Sequence, residues 1–62
     1  MPTVVVRMLE GRNLDQKRAL VKRITEALIE ECNAKDDRVS VYIEEFKTEN
    51  LAHAGVLFVD KK

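Results

Sequence analysis

The sequence predicts an α+β fold: a β-α-β protomer with parallel strands and a short strand or hairpin at its C-terminal end. Three observations predict it. The β-branched run Val4-Val5-Val6 opens the chain. An apolar stripe at spacings of one, three and four follows, from about Leu14 to Cys32. Val39, Val41 and Ile43 then alternate with Ser40, Tyr42 and Glu44, the period-two signature of a strand.

Thr3 to Leu9 reads as the first strand, because consecutive β-branched residues suit a strand covered on both faces. Gly11 breaks it in the loop Glu10-Gly11-Arg12. Asn13 is placed to cap a helix, with Gln16 three residues on in a near capping-box arrangement and Asp15 complementing the helix dipole. Leu20, Val21, Ile24, Ala27, Leu28 and Cys32 form the helix's apolar stripe. Arg18, Lys22, Arg23, Glu26 and Glu30 occupy its polar side, and Asn33 is the expected stop. Ala34 to Asp37 is a polar connector into the second strand. Two strands joined by a helical crossover make a right-handed unit with parallel strands. Gly55 and the apolar run Val56 to Val59 mark the final strand or hairpin.

With 62 residues the chain is one domain, residues 1–62, and a domain this small is marginal alone. One cysteine allows no internal disulfide, and one cysteine with one histidine makes no zinc site of the usual ligand count. Self-association is the remaining source of stability. Tyr42 and Phe46 face away from Val39, Val41 and Ile43, so the sheet has a second apolar face to cover. Eleven basic residues balance eleven acidic ones, which argues against a nucleic-acid partner. The sequence has no membrane-spanning stretch and no signal-peptide pattern. With the free thiol, this leads us to expect the cytoplasm.

Glycine-rich phosphate loops, metal-ligand clusters and a Cys-His pair at plausible spacing are all missing. Pro2 directly follows the initiator methionine, a context in which Met is generally removed. The product is a free secondary amine. A free α-amine has a reference pKa of about 7.7–8.0, and desolvation or a nearby cation lowers it. Such an amine is neutral near pH 7 and can act as a general base. Taken alone, Pro2 reads better as a strand start that needs no N–H. Arg12 lies in the loop past the first strand, and a guanidinium there can grip a carboxylate through two hydrogen bonds.

Pro2, the strand Thr3 to Leu9, Leu9-Glu10-Gly11-Arg12, the helix start Asp15-Gln16-Lys17 and Val41 to Glu45 together resemble the 4-oxalocrotonate tautomerase family. The tail Asn50 to Gly55 matches the family's aromatic-x-x-x-Gly segment more loosely. The resemblance spans essentially the whole chain. It implies a β-α-β protomer with a C-terminal hairpin, assembled as a homohexamer of three dimers. It also implies a cofactor-independent isomerase of aromatic-compound catabolism, acting on 2-oxo acids such as 2-hydroxymuconate or phenylenolpyruvate. In that reading Pro2 is the catalytic base. Arg12 binds a substrate carboxylate in a site shared between subunits, and Leu9 and Leu51 supply apolar walls. The sequence departs from the family twice. Ser40 stands where well-known members carry a second arginine, and Leu51 where they often carry an aromatic residue. Arg38, two residues earlier and expected on the same strand face, is one candidate for the missing charge; Arg7 is another. The alternative reading is a non-catalytic oligomeric module on the same scaffold.

Overall fold

The computed structural model describes residues 2–61. Strand β1 (Thr3–Leu9), helix α1 (Leu14–Cys32) and strand β2 (Ser40–Phe46) follow in order, then the short strands β3 (Ala52–His53) and β4 (Val56–Leu57). Single 3-10 turns at Asp36–Arg38, Thr48–Asn50 and Phe58–Asp60 join or end these elements. β1 and β2 pair in parallel, with Thr3 beside Ser40 and Leu9 beside Phe46. β3 and β4 form an antiparallel hairpin.

The expected bounds of β1 and α1 are the observed ones, and local chemistry explains why. Gly11 has φ +130°, which L side chains rarely adopt, so the chain can turn there out of β1. Asn13 and Gln16 form the complete capping box: the Asn13 side chain accepts from the Gln16 N–H at 2.8 Å, and the Gln16 side chain accepts from the Asn13 N–H at 2.9 Å. Asn33 ends the helix in the left-handed conformation, φ 57°.

Parity along the strands sorts the sheet into two faces. Val4, Val6 and Met8 of β1 lie with Val41, Ile43 and Glu45 of β2 on one face. An ion pair from Lys17 to Glu45 ties α1 to that face. Leu20, Val21, Ile24 and Leu28 are half-buried along α1. Ala27 and Cys32, which the sequence also assigns to the stripe, are exposed in the single chain. The opposite face carries Thr3, Val5, Arg7 and Leu9 beside Ser40, Tyr42, Glu44 and Phe46, and no helix covers it.

The hairpin turns at Ala54 and Gly55, with φ of 51° and 80°. Two positive φ values between antiparallel strands are the signature of a type I′ turn, which favours Asn-Gly. An L residue such as alanine is disfavoured in that region by about 1–2 kcal/mol, and asparagine is tolerated there. Ala54→Asn is therefore expected to stabilise each chain by about 1 kcal/mol. Thermal unfolding checks this, with a midpoint about 4–8 °C higher for a domain of this size.

The single chain does not enclose a core. None of the described residues is buried, and Val5, Tyr42, Leu51, Val56, Leu57, Phe58 and Val59 are among the exposed large apolar side chains. The radius of gyration is 14.9 Å, against about 10.6 Å for a compact chain of this length. Accessible surface is 5254 Å² for 7.1 kDa, against about 4,100 Å² for a folded monomer of that mass. The excess comes from a thin chain that leaves many large apolar side chains uncovered.

Candidate functional site

The residues singled out from the sequence separate into two groups at opposite ends of the β1-β2 sheet. The first group surrounds Pro2. Its carbonyl accepts from the Ser40 N–H at 3.1 Å, which extends the parallel ladder by one bond beyond Thr3. Pro2 and Ser40 are both half-buried. A proline is suited to this place because the start of a strand asks for no N–H donor from it. Met1, on whose removal the chemistry of Pro2 depends, lies outside the described residues.

Arg38 is near this end but not where strand periodicity puts it. It closes the 3-10 turn Asp36–Arg38, and its N–H donates to the Lys35 carbonyl at 2.9 Å. β2 begins only at Ser40, so the shared-face argument for Arg38 and Ser40 does not hold. The sequence carried a signal that the alternation hid: Asp36 and Asp37 suit the first turn of a short helix, and Arg38 suits its last. Arg38 makes no ion pair with the described residues.

The second group sits past the other end of β1. Leu9 is the last strand residue and is half-buried. The Arg12 side chain is exposed and folds back so that one guanidinium N–H donates to the Leu9 carbonyl at 3.1 Å. That bond uses one of five donors and leaves the others free for a carboxylate. Leu51 follows the turn after β2 and is 38% exposed. Its carbonyl accepts from the Phe58 N–H at 2.7 Å, which ties the hairpin's two arms together.

Distance separates the two groups. Pro2 and Leu9 are seven residues apart along an extended strand, which is about 23 Å at 3.3 Å per residue. A small 2-oxo acid cannot span that gap. Within one chain, therefore, Pro2 cannot share such a substrate with Leu9 or with the Arg12 side chain bonded to it. No pocket forms among the described residues of the single chain.

Arg7, the other candidate cation, lies between the groups on the helix-free face. Its Nε donates to Glu44 Oε1 at 2.9 Å. The bond crosses from β1 to β2 between residues that are in register. No group of metal-ligating side chains occurs among the described residues, and no helix there is long and apolar enough to cross a membrane.

Comparison with known proteins bears on the chain as a whole. The family model for tautomerase enzymes matches residues 2–61. A 2-hydroxymuconate tautomerase of Bacillus subtilis is 47% identical over 55 residues, which is 89% of each chain. A probable tautomerase of Halalkalibacterium halodurans is 43% identical over 61 residues, 98% of this chain and 100% of the relative. The crystal structure of YwhB, a homologue of 4-oxalocrotonate tautomerase, superposes with a TM-score of 0.93 at 43% identity. That superposition covers 98% of this chain and 100% of YwhB.

Proposed function

This chain belongs to the tautomerase family, and from that premise we propose that it interconverts the enol and keto forms of a small 2-oxo acid, with the amine of Pro2 as general base once Met1 is removed. The substrate we propose is of the 2-hydroxymuconate or phenylenolpyruvate type. The chain is a tautomerase, and so an isomerase. The observation that carries the finer reading is the place of Pro2: it leads β1, and the Ser40 N–H holds its carbonyl.

The chemistry follows from that placement. A neutral secondary amine accepts a proton from the enol hydroxyl or from the carbon beside a carbonyl. It returns the proton at another position of the conjugated acid. The amine gives back a proton for the one it takes, so atoms and electrons balance without a co-reactant. Arg12 from a second copy would hold a carboxylate through paired hydrogen bonds. Leu9 and Leu51 of that copy would exclude water from the amine, which favours its neutral form. Shared sites of this kind need an oligomer, and we take it to be a homohexamer of three dimers, working in the cytoplasm. The test is turnover of 2-hydroxymuconate and phenylenolpyruvate by protein whose free Pro2 is verified by intact mass. Ketonisation no faster than that given by protein with a blocked amine would sink the reading.

Ser40 makes a second prediction. Its backbone N–H donates to the Pro2 carbonyl, and its side chain offers a hydroxyl but no charge. One well-placed donor to a developing oxyanion is worth about a hundredfold in rate. Ser40→Arg is expected to raise kcat/KM for 2-hydroxymuconate by about tenfold or more. Steady-state kinetics of the two proteins at equal active-site concentration checks it.

A further inference from the structure

The first turn of α1 has no apolar anchor on the sheet. Leu14 is 64% exposed, and half-buried apolar residues begin only at Leu20. Lys17 stands between them, three positions before Leu20 and four before Val21, so it shares their side of the helix. Its ammonium group donates to Glu45 Oε1. With side chains 25% and 27% exposed, this is the most covered of the three ion pairs among the described residues. It is also the one side-chain hydrogen bond among them that joins α1 to the sheet.

The same residue also holds the helix start. The Lys17 backbone N–H donates to the Asn13 carbonyl at 3.2 Å, beside the reciprocal cap of Asn13 and Gln16. Glu45 in turn precedes Phe46, whose carbonyl accepts from the Glu10 N–H at 2.9 Å. A closed ring results: Glu10, Gly11, Arg12 and Asn13, then Lys17, across to Glu45 and Phe46, and back to Glu10. All four loop residues are exposed, and open space surrounds the position a Cβ would take at Gly11. Packing therefore does not hold the loop, and its shape follows from how its two ends are tied.

We infer that the Lys17–Glu45 pair is a positioning clamp: it sets the loop Glu10–Asn13 against β2 and so aims the Arg12 guanidinium at a substrate carboxylate. The inference rests on the role proposed above for Arg12. The chemistry of the pair suits geometry better than stability. Attraction within a partly dehydrated ion pair largely cancels the cost of dehydrating it, so apolar residues of similar volume often stabilise as well. What apolar residues lack is direction. Their contacts let a helix turn slide or rotate, whereas a charge-assisted hydrogen bond fixes one atom against another. Direction matters at Arg12, because paired hydrogen bonds to a carboxylate need the guanidinium plane in place. The gripped carboxylate does not itself react, so a weaker grip raises KM and leaves kcat nearly unchanged.

The test uses the full chain with its free Pro2 verified. Five proteins are compared: wild type, Lys17→Arg, the double variant Lys17→Leu with Glu45→Leu, Arg12→Ala, and that double variant combined with Arg12→Ala. KM and kcat for 2-hydroxymuconate are measured, and amide hydrogen exchange is followed without substrate. The leucine pair is expected to fold and to raise KM about tenfold, with kcat within about threefold of wild type. Lys17→Arg keeps a charged donor and should stay within about threefold in KM. Because Lys17 acts through Arg12, the leucine pair should add less than about twofold to the KM of Arg12→Ala. The Gln16 and Lys17 amides, which bond Asn13, should exchange about tenfold faster in the leucine pair, and the Ile24 amide less than about threefold faster. A leucine pair with the wild-type KM would overturn the inference, as would one whose effect multiplies in full onto that of Arg12→Ala. If the leucine pair does not fold, Glu45→Gln takes its place: a rise in KM of about threefold is expected, and no rise overturns the clamp. Absence of turnover in the wild type, or an unchanged KM in Arg12→Ala, would remove the role of Arg12 itself. The exchange rates then decide whether Lys17 and Glu45 set the loop, and equal rates in variant and wild type count against it.

Discussion

Protein that retains Met1 should turn over 2-hydroxymuconate at least about a hundredfold more slowly than protein that begins at Pro2. With Met1 attached, the proline nitrogen is a tertiary amide. Its lone pair is delocalised into the carbonyl, so it has no basicity to offer at any working pH. Released, the same nitrogen is an amine with a reference pKa of about 7.7–8.0. A positioned general base contributes about 10²–10⁴-fold, which sets the size of the loss. The sign of the pH dependence is fixed as well. The base works only when deprotonated, so the rate falls as pH drops through the amine's pKa. A cation as close as Arg12 of a second copy would move that fall to lower pH. Pro2→Ala separates basicity from geometry. It keeps an amine but loses the ring that aims the lone pair, so its loss should be smaller than that of the Met1-bearing protein. Intact mass on each preparation, followed by initial rates across pH, measures all three quantities. Equal rates for the free and blocked proteins would remove Pro2 from the mechanism.

The contrast between β1 and β2 shows what the sequence could and could not say. β1 and α1 are bounded by strong local signals: Gly11 at a φ reserved for glycine, a reciprocal cap between Asn13 and Gln16, and Asn33 in the left-handed region. Each acts within four residues, so it can be read directly. The start of β2 has no such marker. Alternation carries the eye back through Val39, whereas the turn Asp36–Arg38 is set by backbone bonding that alternation does not report. The positive φ of Ala54 is likewise hidden, because alanine gives no hint of it. The candidate site is harder still. Pro2, Arg12 and Leu51 each stand out as residues, but their grouping depends on which ends of the strands they occupy. Cys32 makes the same point from the other side. Helical periodicity puts it on the apolar stripe, yet it is exposed in the single chain.

The largest structural effect should come from charging the uncovered face. Tyr42 lies beside Val5 on the face away from α1 and is 58% exposed in the single chain. If the chain worked alone, Tyr42→Glu would be a surface change worth no more than about 0.5 kcal/mol. The geometry of the protomer argues otherwise. At 43 × 24 × 14 Å it is only one sheet and one helix thick, and none of its described residues is buried. A domain that buries so little cannot offset its own ordering entropy. A partner present at about a thousand times its dissociation constant contributes about 4 kcal/mol, a large share of the roughly 5–15 kcal/mol of a whole domain. Tyr42→Glu would bury an unpaired carboxylate next to Glu44, and the desolvation cost is several kcal/mol. The expected result is loss of the assembly and, with it, of most helical signal and all turnover at micromolar concentration. Tyr42→Phe, which keeps the apolar area, should assemble normally. In the wild type, the thermal midpoint should rise with protein concentration, as binding to the folded state requires. A monomeric, folded Tyr42→Glu protein would show that the chain is stable without its partners. The gap of about 23 Å between Pro2 and Leu9 would then leave its half-sites unjoined, and activity in that monomer would refute the shared site.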